Sequence, residues 1–345
     1  MKNLARYIIW EINLENNDLE YLKGLLTLDY NQSISYLDEF EDLTPYDRTL
    51  QNKWTTPEGT QDFTVKSFML SNPENDLNVD YIHAKALFEK RLGPDKAIIN
   101  GTPIPRESRV FNYSCDVCFL KFEERMYSVL KINKSDESRL RNVLFKKKGE
   151  DNKNKWGELK YNNPHGYKLE SDLFYWLLYK KDQTEEITFE DSKKYRVMDV
   201  SLMIQKDKLD TYTTHSIGED VLGSTGALSS LGENQLINET QIGFVGDDTK
   251  IFSIIDNKSM FNLDVDDSYL NVGEEEDEFI KNAMFLYTHL IPELKKAFQT
   301  EKDNDTWNDE LARKKRKDWA IEAILNLCEI NEISIEEIEN KMVVY

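Results

Sequence analysis

The chain has 345 residues, with 44 Lys and Arg against 64 Asp and Glu, a formal net charge of −20 and a hydrophobic content of 39%. That is ample apolar material for a buried core, so the chain reads as globular rather than disordered. The acidic excess repels anionic partners overall and argues against a protein that coats nucleic acid, while leaving room for a local basic groove.

The N-terminus does not read as a signal peptide, because its apolar run is short and Arg6, Glu11 and Glu15 flank or interrupt it. Nowhere do about 18 apolar residues run without a break, so no membrane insertion is expected. Three cysteines do not make a disulfide framework. The expectation is a cytoplasmic protein with reduced thiols.

In chain order, residues 4–14 read as a first strand. Residues 18–41 carry Leu19, Leu22, Leu25, Leu26, Leu37 and Phe40 and suggest helix, broken near Tyr30 and Asn31. From Asp42 to Asn78 the chain is polar and holds Pro45, Pro57 and Pro73; it is either a linker or a long decorated loop, with a short strand in the stretch 60–70. Residues 81–92, YIHAKALFEKRL, predict a helix stopped by Gly93 and Pro94. Pro103 and Pro105 mark an extended approach to a hairpin. Its strands are Val110–Phe122 and Met126–Ile132, joined by a polar turn at Glu123, Glu124 and Arg125 that lacks the Asn-Gly signature.

A short helix is expected over 136–145, a basic loop over 146–155 and a strand over 156–161. Ser171 is placed to cap a helix, DLFYWLLYKK, that is apolar nearly all round and therefore buried. Residues 195–204 read as a strand, 216–237 as a Gly- and Ser-rich helix or loop, and 240–261 as a second hairpin turning at Gly246, Asp247 and Asp248. Two long helices follow, over 274–300 and 307–328. Ser334 and Glu337 form a capping box for a last short helix. The fold class is therefore α+β, with a central antiparallel sheet built from hairpins and a helical C-terminal region. Composition divides the chain into a strand-helix element with polar linker (1–78), an α+β core (79–272) and a helical segment (273–345).

Chemical landmarks are few. Cys115 and Cys118 form a Cys-x-x-Cys, but three residues along a strand put them on opposite faces, so they read as structural thiols rather than a redox or zinc pair. Gly223-Ser224-Thr225-Gly226 resembles a phosphate loop but lacks the Lys-Ser/Thr ending. Glu158-Leu159-Lys160 has the Glu-x-Lys form of restriction-type nucleases, which needs an Asp on a neighbouring strand to share a divalent metal; Asp116 is the candidate. Asp264, Asp266 and Asp267 form an acidic cluster without a calcium loop, and the acids at 274–278 suit a helix start. No Gly-x-Ser-x-Gly elbow or His-Glu-x-x-His motif occurs. No cofactor and no metal is implied by the leading reading.

Two basic patches stand out. The first holds Arg139, Arg141, Lys146, Lys147, Lys148, Lys153, Lys155 and Lys160, with Trp156 and Tyr161 interleaved. That mix suits a phosphate backbone with a stacked base, or else a solvated loop that balances acidic neighbours. The second, Arg313 to Lys317, spreads round a helix and suits a solvated face, nucleic acid or an acidic protein surface. The long C-terminal helices fit either an oligomer interface or intramolecular core.

The succession of the hairpin CDVCFLKFEERMYSVLKI, a basic helix, the helix SDLFYWLLYKK, the strand YRVMDVSLMI, a Gly-rich leucine segment, a second hairpin and terminal helices resembles the layout of bacterial phage-exclusion and antiviral-defence proteins of the RexA and Kiwa KwaB kind. The resemblance covers about residues 105–300 and carries no motif, so no functional residue transfers. It implies sensing or binding, of phage DNA or a phage protein, with a partner component delivering the effect. The leading expectation is a non-enzymatic binding protein of such a defence or regulatory system that works through protein contacts to a partner or partner subunit, with a nucleic-acid contact at Arg139–Lys160 as a further option. The alternatives are a metal-dependent nuclease using Asp116, Glu158 and Lys160, and an acidic viral inhibitor that mimics DNA.

Overall fold

A computed structural model describes residues 3–70, 77–209, 211–272 and 276–342. Pro73, Glu274 and Glu275 lie outside the described residues.

Strand β1 (Leu4–Asn13) opens the chain as expected. Helix α1 is shorter than the pattern suggested, running only Leu19–Leu26. It starts where Asp18 accepts the Glu20 amide, and the chain turns away where Asp29 accepts the amide of Asn31. The polar stretch that follows is not an empty linker. Before it, within the stretch expected to be helix, lies the two-residue strand β2 (Gln32–Ser33); the polar stretch itself holds β3 (Thr49–Leu50), β4 (Lys53–Thr55) and β5 (Lys66–Leu70).

The expected helix over 81–92 is instead the long strand β6 (Leu77–Arg91). Ile82, Ala84, Ala86 and Phe88 are buried while His83, Lys85 and Leu87 are half-buried, a period of two. The strand pairs with β9 (Val110–Phe122) from Tyr81↔Leu120 to Arg91↔Val110. Such a ladder outweighs the helix preference of Ala, Lys, Leu and Glu. Between β6 and β9 lie α2 (Pro94–Ala97), β7 (Ile98–Ile99), β8 (Thr102–Pro103) and α3 (Arg106–Arg109). The hairpin closes with β10 (Arg125–Lys131), followed by α4 (Lys134–Leu144) and β11 (Glu158–Lys160).

Next come α5 (Ser171–Gln183), β12 (Glu186–Thr188), β13 (Lys194–Lys206), β14 (Thr213–Ile217) and α6 (Thr225–Gly232). Ser171 does not cap α5; its hydroxyl accepts the Ile237 amide at 2.9 Å. The second hairpin is β15 (Leu236–Val245) with β16 (Thr249–Asp256), followed by β17 (Phe261–Asp264) and β18 (Tyr269–Leu270).

The expected helix over 274–300 is three pieces: α7 (Glu278–Met284), a π turn at Phe285–Leu290 and α8 (Ile291–Asp303). Pro292 has no N–H to return to the preceding turn, and the wider π turn before it absorbs the missed bond. Helices α9 (Asp309–Ile330) and α10 (Ile335–Met342) complete the chain. The capping box is present, with Ser334 and Glu337 exchanging bonds of 2.8 and 3.3 Å.

The chain forms two compact units. One comprises Arg6–His165 with Val272–Thr288. Its antiparallel strands run in the order β11-β1-β10-β9-β6-β4, and β5 also pairs β6. Its core holds a knot of aromatic rings: Trp10, Trp54, Phe119, Phe145 and Trp156, with centroids 4.7 to 6.1 Å apart. The other comprises Met1–Ala5, Gly166–Asn271 and His289–Tyr345. Its antiparallel strands run β12-β13-β15-β16-β17, with β14 on β13 and β18 on β16. Helix α5 is the buried helix its composition demands, with every residue from Leu173 to Leu178 inside. The fold is α+β, with helices gathered toward the C-terminus. These two units and the three consecutive segments of the composition are different divisions of the chain.

Candidate functional site

The basic loop between α4 and β11 is an ordered ribbon. The amide of Lys155 donates to Lys147 O at 2.8 Å and that of Gly149 to Lys153 O at 2.8 Å. Lys148 and Asn154 face each other as a bridge. Two fully buried rings, Phe145 and Trp156, stand at its ends with centroids 4.7 Å apart. Asn154 Nδ2 ties the same ends by donating to Phe145 O at 3.1 Å and to Gly157 O at 2.9 Å. Gly157 follows with a φ of +64°, and a Cβ there would lie 1.9 Å from Asn13 O. Only glycine lets the loop return this close to β1.

This geometry sorts the candidate residues. Lys146, Lys148, Lys153 and Lys155 are exposed. Alternation about the bridge sets Lys153 and Lys155 on one face of the ribbon and Lys146 with Lys148 on the other. Lys147 is half-buried, and its ammonium donates to Asp29 O. Lys153 has a loose ion pair with Asp151 at 3.7 Å. Arg141 stacks on the Tyr161 ring at 3.7 Å, an arrangement that leaves Tyr161 41% exposed. Arg139 donates to Glu89 O at 3.4 Å and borders an open cleft of about 490 Å³ with Lys90, Tyr113, Ser135 and Ser138.

Trp156 is a correction. Expected as a surface ring for a base, it has no exposed area, and its Nε1 donates to the Tyr30 hydroxyl at 2.9 Å. It anchors the ribbon, and the aromatic at the surface is Tyr161.

The nuclease set does not assemble. Lys160 pairs with Glu11, Glu11 with Tyr127 and Tyr127 with Leu120, so Asp116 lies three strands across from Lys160 and four positions along β9. Three strand spacings alone exceed about 14 Å, far beyond the reach of a shared metal. Each residue has another occupation. Asp116 sits between Lys85 and Lys131 on the flanking strands, with His83 Nε2 3.7 Å away. His83 is the chief cause holding its carboxyl below the usual range, against the opposing effect of burial. Glu158 accepts from Asn13 Nδ2 at 3.2 Å. Lys160 reaches Glu11 Oε1 at 3.0 Å.

Glu11 is the residue sequence reasoning passed over. It is 1% exposed yet charged, receiving Lys160 and Arg125 at 3.0 Å each and the His165 amide at 2.8 Å. Burial would push its carboxyl up; the amide, Lys160 and Arg125 outweigh that and hold it below the ordinary value. A lone acid inside the apolar run IIWEINL was the available signal.

The other motifs resolve into structure. Cys115 and Cys118 are buried free thiols, and burial pushes both well up from their ordinary value, away from thiolate chemistry. Ser224 caps α6, its Oγ accepting from the Ala227 amide at 3.3 Å, so the Gly-Ser-Thr-Gly stretch is a helix start. Asp264 is buried while Asp266 and Asp267 are exposed. Among the described residues, no group of three or more His, Cys, Asp and Glu is arranged to hold a metal. In the second basic patch, Lys315 pairs with Asp182 and Arg316 lies over the Tyr175 ring, while Arg313, Lys314 and Lys317 are exposed. Among the described residues no helix is long and apolar enough to cross a membrane. No family model, no curated protein and no solved structure matches the chain.

Proposed function

We propose that the chain is a non-enzymatic binding protein whose ribbon at residues 146–155 contacts the phosphate backbone of a nucleic acid. The observation that carries this reading is the ribbon itself: exposed lysines on both faces of a two-stranded loop that is held at both ends by buried rings. A two-stranded ribbon is narrow enough to enter a groove, where phosphates line both walls. An ordered scaffold lowers the entropy lost when the lysines engage. The Arg141–Tyr161 stack adds a surface aromatic and a cation beside it. In a chain of net charge −20, so local a basic element favours a confined contact over coating. Following the layout-level resemblance to phage-exclusion and antiviral-defence proteins, the contact would serve recognition in the bacterial cytoplasm, with a protein partner delivering the effect.

The test is a titration of the full chain with double- and single-stranded DNA at several salt concentrations, beside a variant carrying Lys146→Glu, Lys148→Glu, Lys153→Glu and Lys155→Glu. The expected outcome is salt-sensitive binding that the variant loses, with the logarithmic salt slope falling by up to about 3 to 4, since each neutralised phosphate contributes roughly 0.9. No binding at low salt, or binding indifferent to the four reversals, would remove nucleic acid from this reading.

A further inference from the structure

The cleft of about 490 Å³ that Arg139 borders opens between α4 and the ends of β6 and β9, within the unit of Arg6–His165. Helix α4 turns Leu140 and Leu144 into the core. Ser135, Ser138, Arg139 and Asn142, spaced i, i+3, i+4 and i+7, line the cleft from the helix side. Lys90 and Tyr113 line it from the sheet. Phe88 pairs with Tyr113 and Lys90 with Phe111, so alternation puts these four side chains on one face of the sheet. The serines and the asparagine are too short to fill the space between helix and strands.

The polar groups around this space are largely uncommitted among the described residues. Lys90 is exposed and has neither an ion pair nor a hydrogen bond. Arg139 is half-buried and gives one long bond, 3.4 Å to Glu89 O, with no ion pair. The Tyr113 hydroxyl and the Ser135 hydroxyl have no partner. Ser138 Oγ accepts only a 3.5 Å bond from Asn142 Nδ2. Asp136 also lines the cleft, yet its carboxylate pairs with neither cation; its place in the first turn of α4 suits the helix dipole. Of the next charges along α4, Glu137 is held by Arg6 at 3.0 Å and Lys134 is exposed. Two cations therefore face one acid here, in a chain whose net charge is −20. An anion would satisfy that local excess.

Two cations with hydroxyl donors beside them suit a phosphate group, whose terminal oxygens take several charge-assisted bonds at once. The sheet side adds aromatic surface. The Tyr113 ring stacks on Phe88 with centroids 5.7 Å apart and planes at 17°, and Phe111, next to Lys90, is 43% exposed. A flat ring can lie against such a wall. The volume falls within the range of roughly 300 to 1,000 Å³ usual for small-molecule sites.

We propose that this cleft binds a nucleoside monophosphate, its phosphate held by Lys90, Arg139 and Ser135 and its base lying against Tyr113. None of the ribbon lysines takes part, so the site is separate from the contact at residues 146–155.

Calorimetric titration of the full chain at low salt with adenosine monophosphate, adenosine and inorganic phosphate tests this. Adenosine monophosphate should saturate below about 1 mM, and it should bind at least about tenfold tighter than adenosine or phosphate, because it alone makes both kinds of contact. Lys90→Gln with Arg139→Gln changes two side chains that are not buried. The circular dichroism should be unaltered while affinity for adenosine monophosphate falls at least about tenfold. Tyr113→Leu, which keeps an apolar side chain against Phe88, should weaken adenosine monophosphate and leave phosphate as it was. The variant with the four ribbon lysines changed to Glu should bind adenosine monophosphate within about twofold of the unaltered chain, since exposed charges outside the site are largely screened. No saturation by adenosine monophosphate at about 1 mM overturns the proposal. Binding that survives the Lys90 and Arg139 substitutions, or that is lost in the ribbon variant, places the phosphate elsewhere and overturns it too. Phosphate bound as tightly as adenosine monophosphate overturns the assignment of a nucleoside.

Discussion

Glu11 shows how a single buried carboxylate organises its surroundings. It fastens β11 through Lys160, the end of the hairpin through Arg125 and the chain at His165 through a backbone amide. Its pKa is lowered in the fold, so the folded state binds its proton less readily than the unfolded chain. The stability it contributes is therefore complete above the unfolded value of 4.5 and is lost as pH falls through the lowered folded value. Urea midpoints measured down from neutral pH should begin to fall below about 4.5, and Glu11→Gln should be less stable at neutral pH with a shallower acid limb. An unchanged acid limb in the variant would assign acid sensitivity to other carboxylates. At this scale the two cysteines were legible, because strand parity alone separates them. Trp156 was not: an aromatic among lysines reads the same whether its ring points outward or, as here, into the core beneath them.

Among the elements, the β9–β10 hairpin was plain in its alternation, but its turn was not. Phe122 pairs with Arg125, so the loop is only Glu123 and Glu124, and both have positive φ, 48° and 60°. Two-residue hairpin loops of this kind favour Asn and Gly, because side chains elsewhere pay a steric cost in that region. Glu123→Asn with Glu124→Gly should raise stability by about 1 kcal/mol in chemical denaturation. The exposed Lys121–Glu124 pair given up is worth little. A midpoint that fails to rise would mean that the turn holds no strain. Strand β6 was misread because local preference and pairing disagree there. The residues favour helix, and the neighbours that impose a strand, β9 on one edge and β4 and β5 on the other, are distant in sequence. The break at the π turn follows from Pro292, a residue visible in the chain whose consequence depends on how the following turn is held.

Over the whole molecule the dominant quantity is the net charge of −20. Like charge packed into a folded chain opposes compactness and is relieved by screening. Raising salt from about 0.01 to about 0.15 M shortens the Debye length from roughly 30 to 8 Å, and the thermal midpoint should rise by roughly 2 °C or more. A midpoint that drops instead would show that local ion pairs, such as the buried Arg106–Glu89 contact at 2.6 Å, outweigh the general repulsion. The same charge repels polyanions in general, and the exposed lysines of the ribbon at 146–155 are a local exception to it.

What the sequence by itself determined is what depends on near neighbours along the chain. The α+β class, both hairpins, the buried helix α5, the capping box at Ser334 and the separation of the cysteines all follow from periodicity and local hydrogen bonding. Only the tertiary structure decided which distant residues meet. It kept Asp116 apart from Glu158 and Lys160, turned Trp156 inward and made Glu11 a buried anchor. Those outcomes depend on strand order and on which side of a strand or helix faces its neighbours; the apolar run around Glu11 marks it as a buried acid, but no local pattern says which cations meet it.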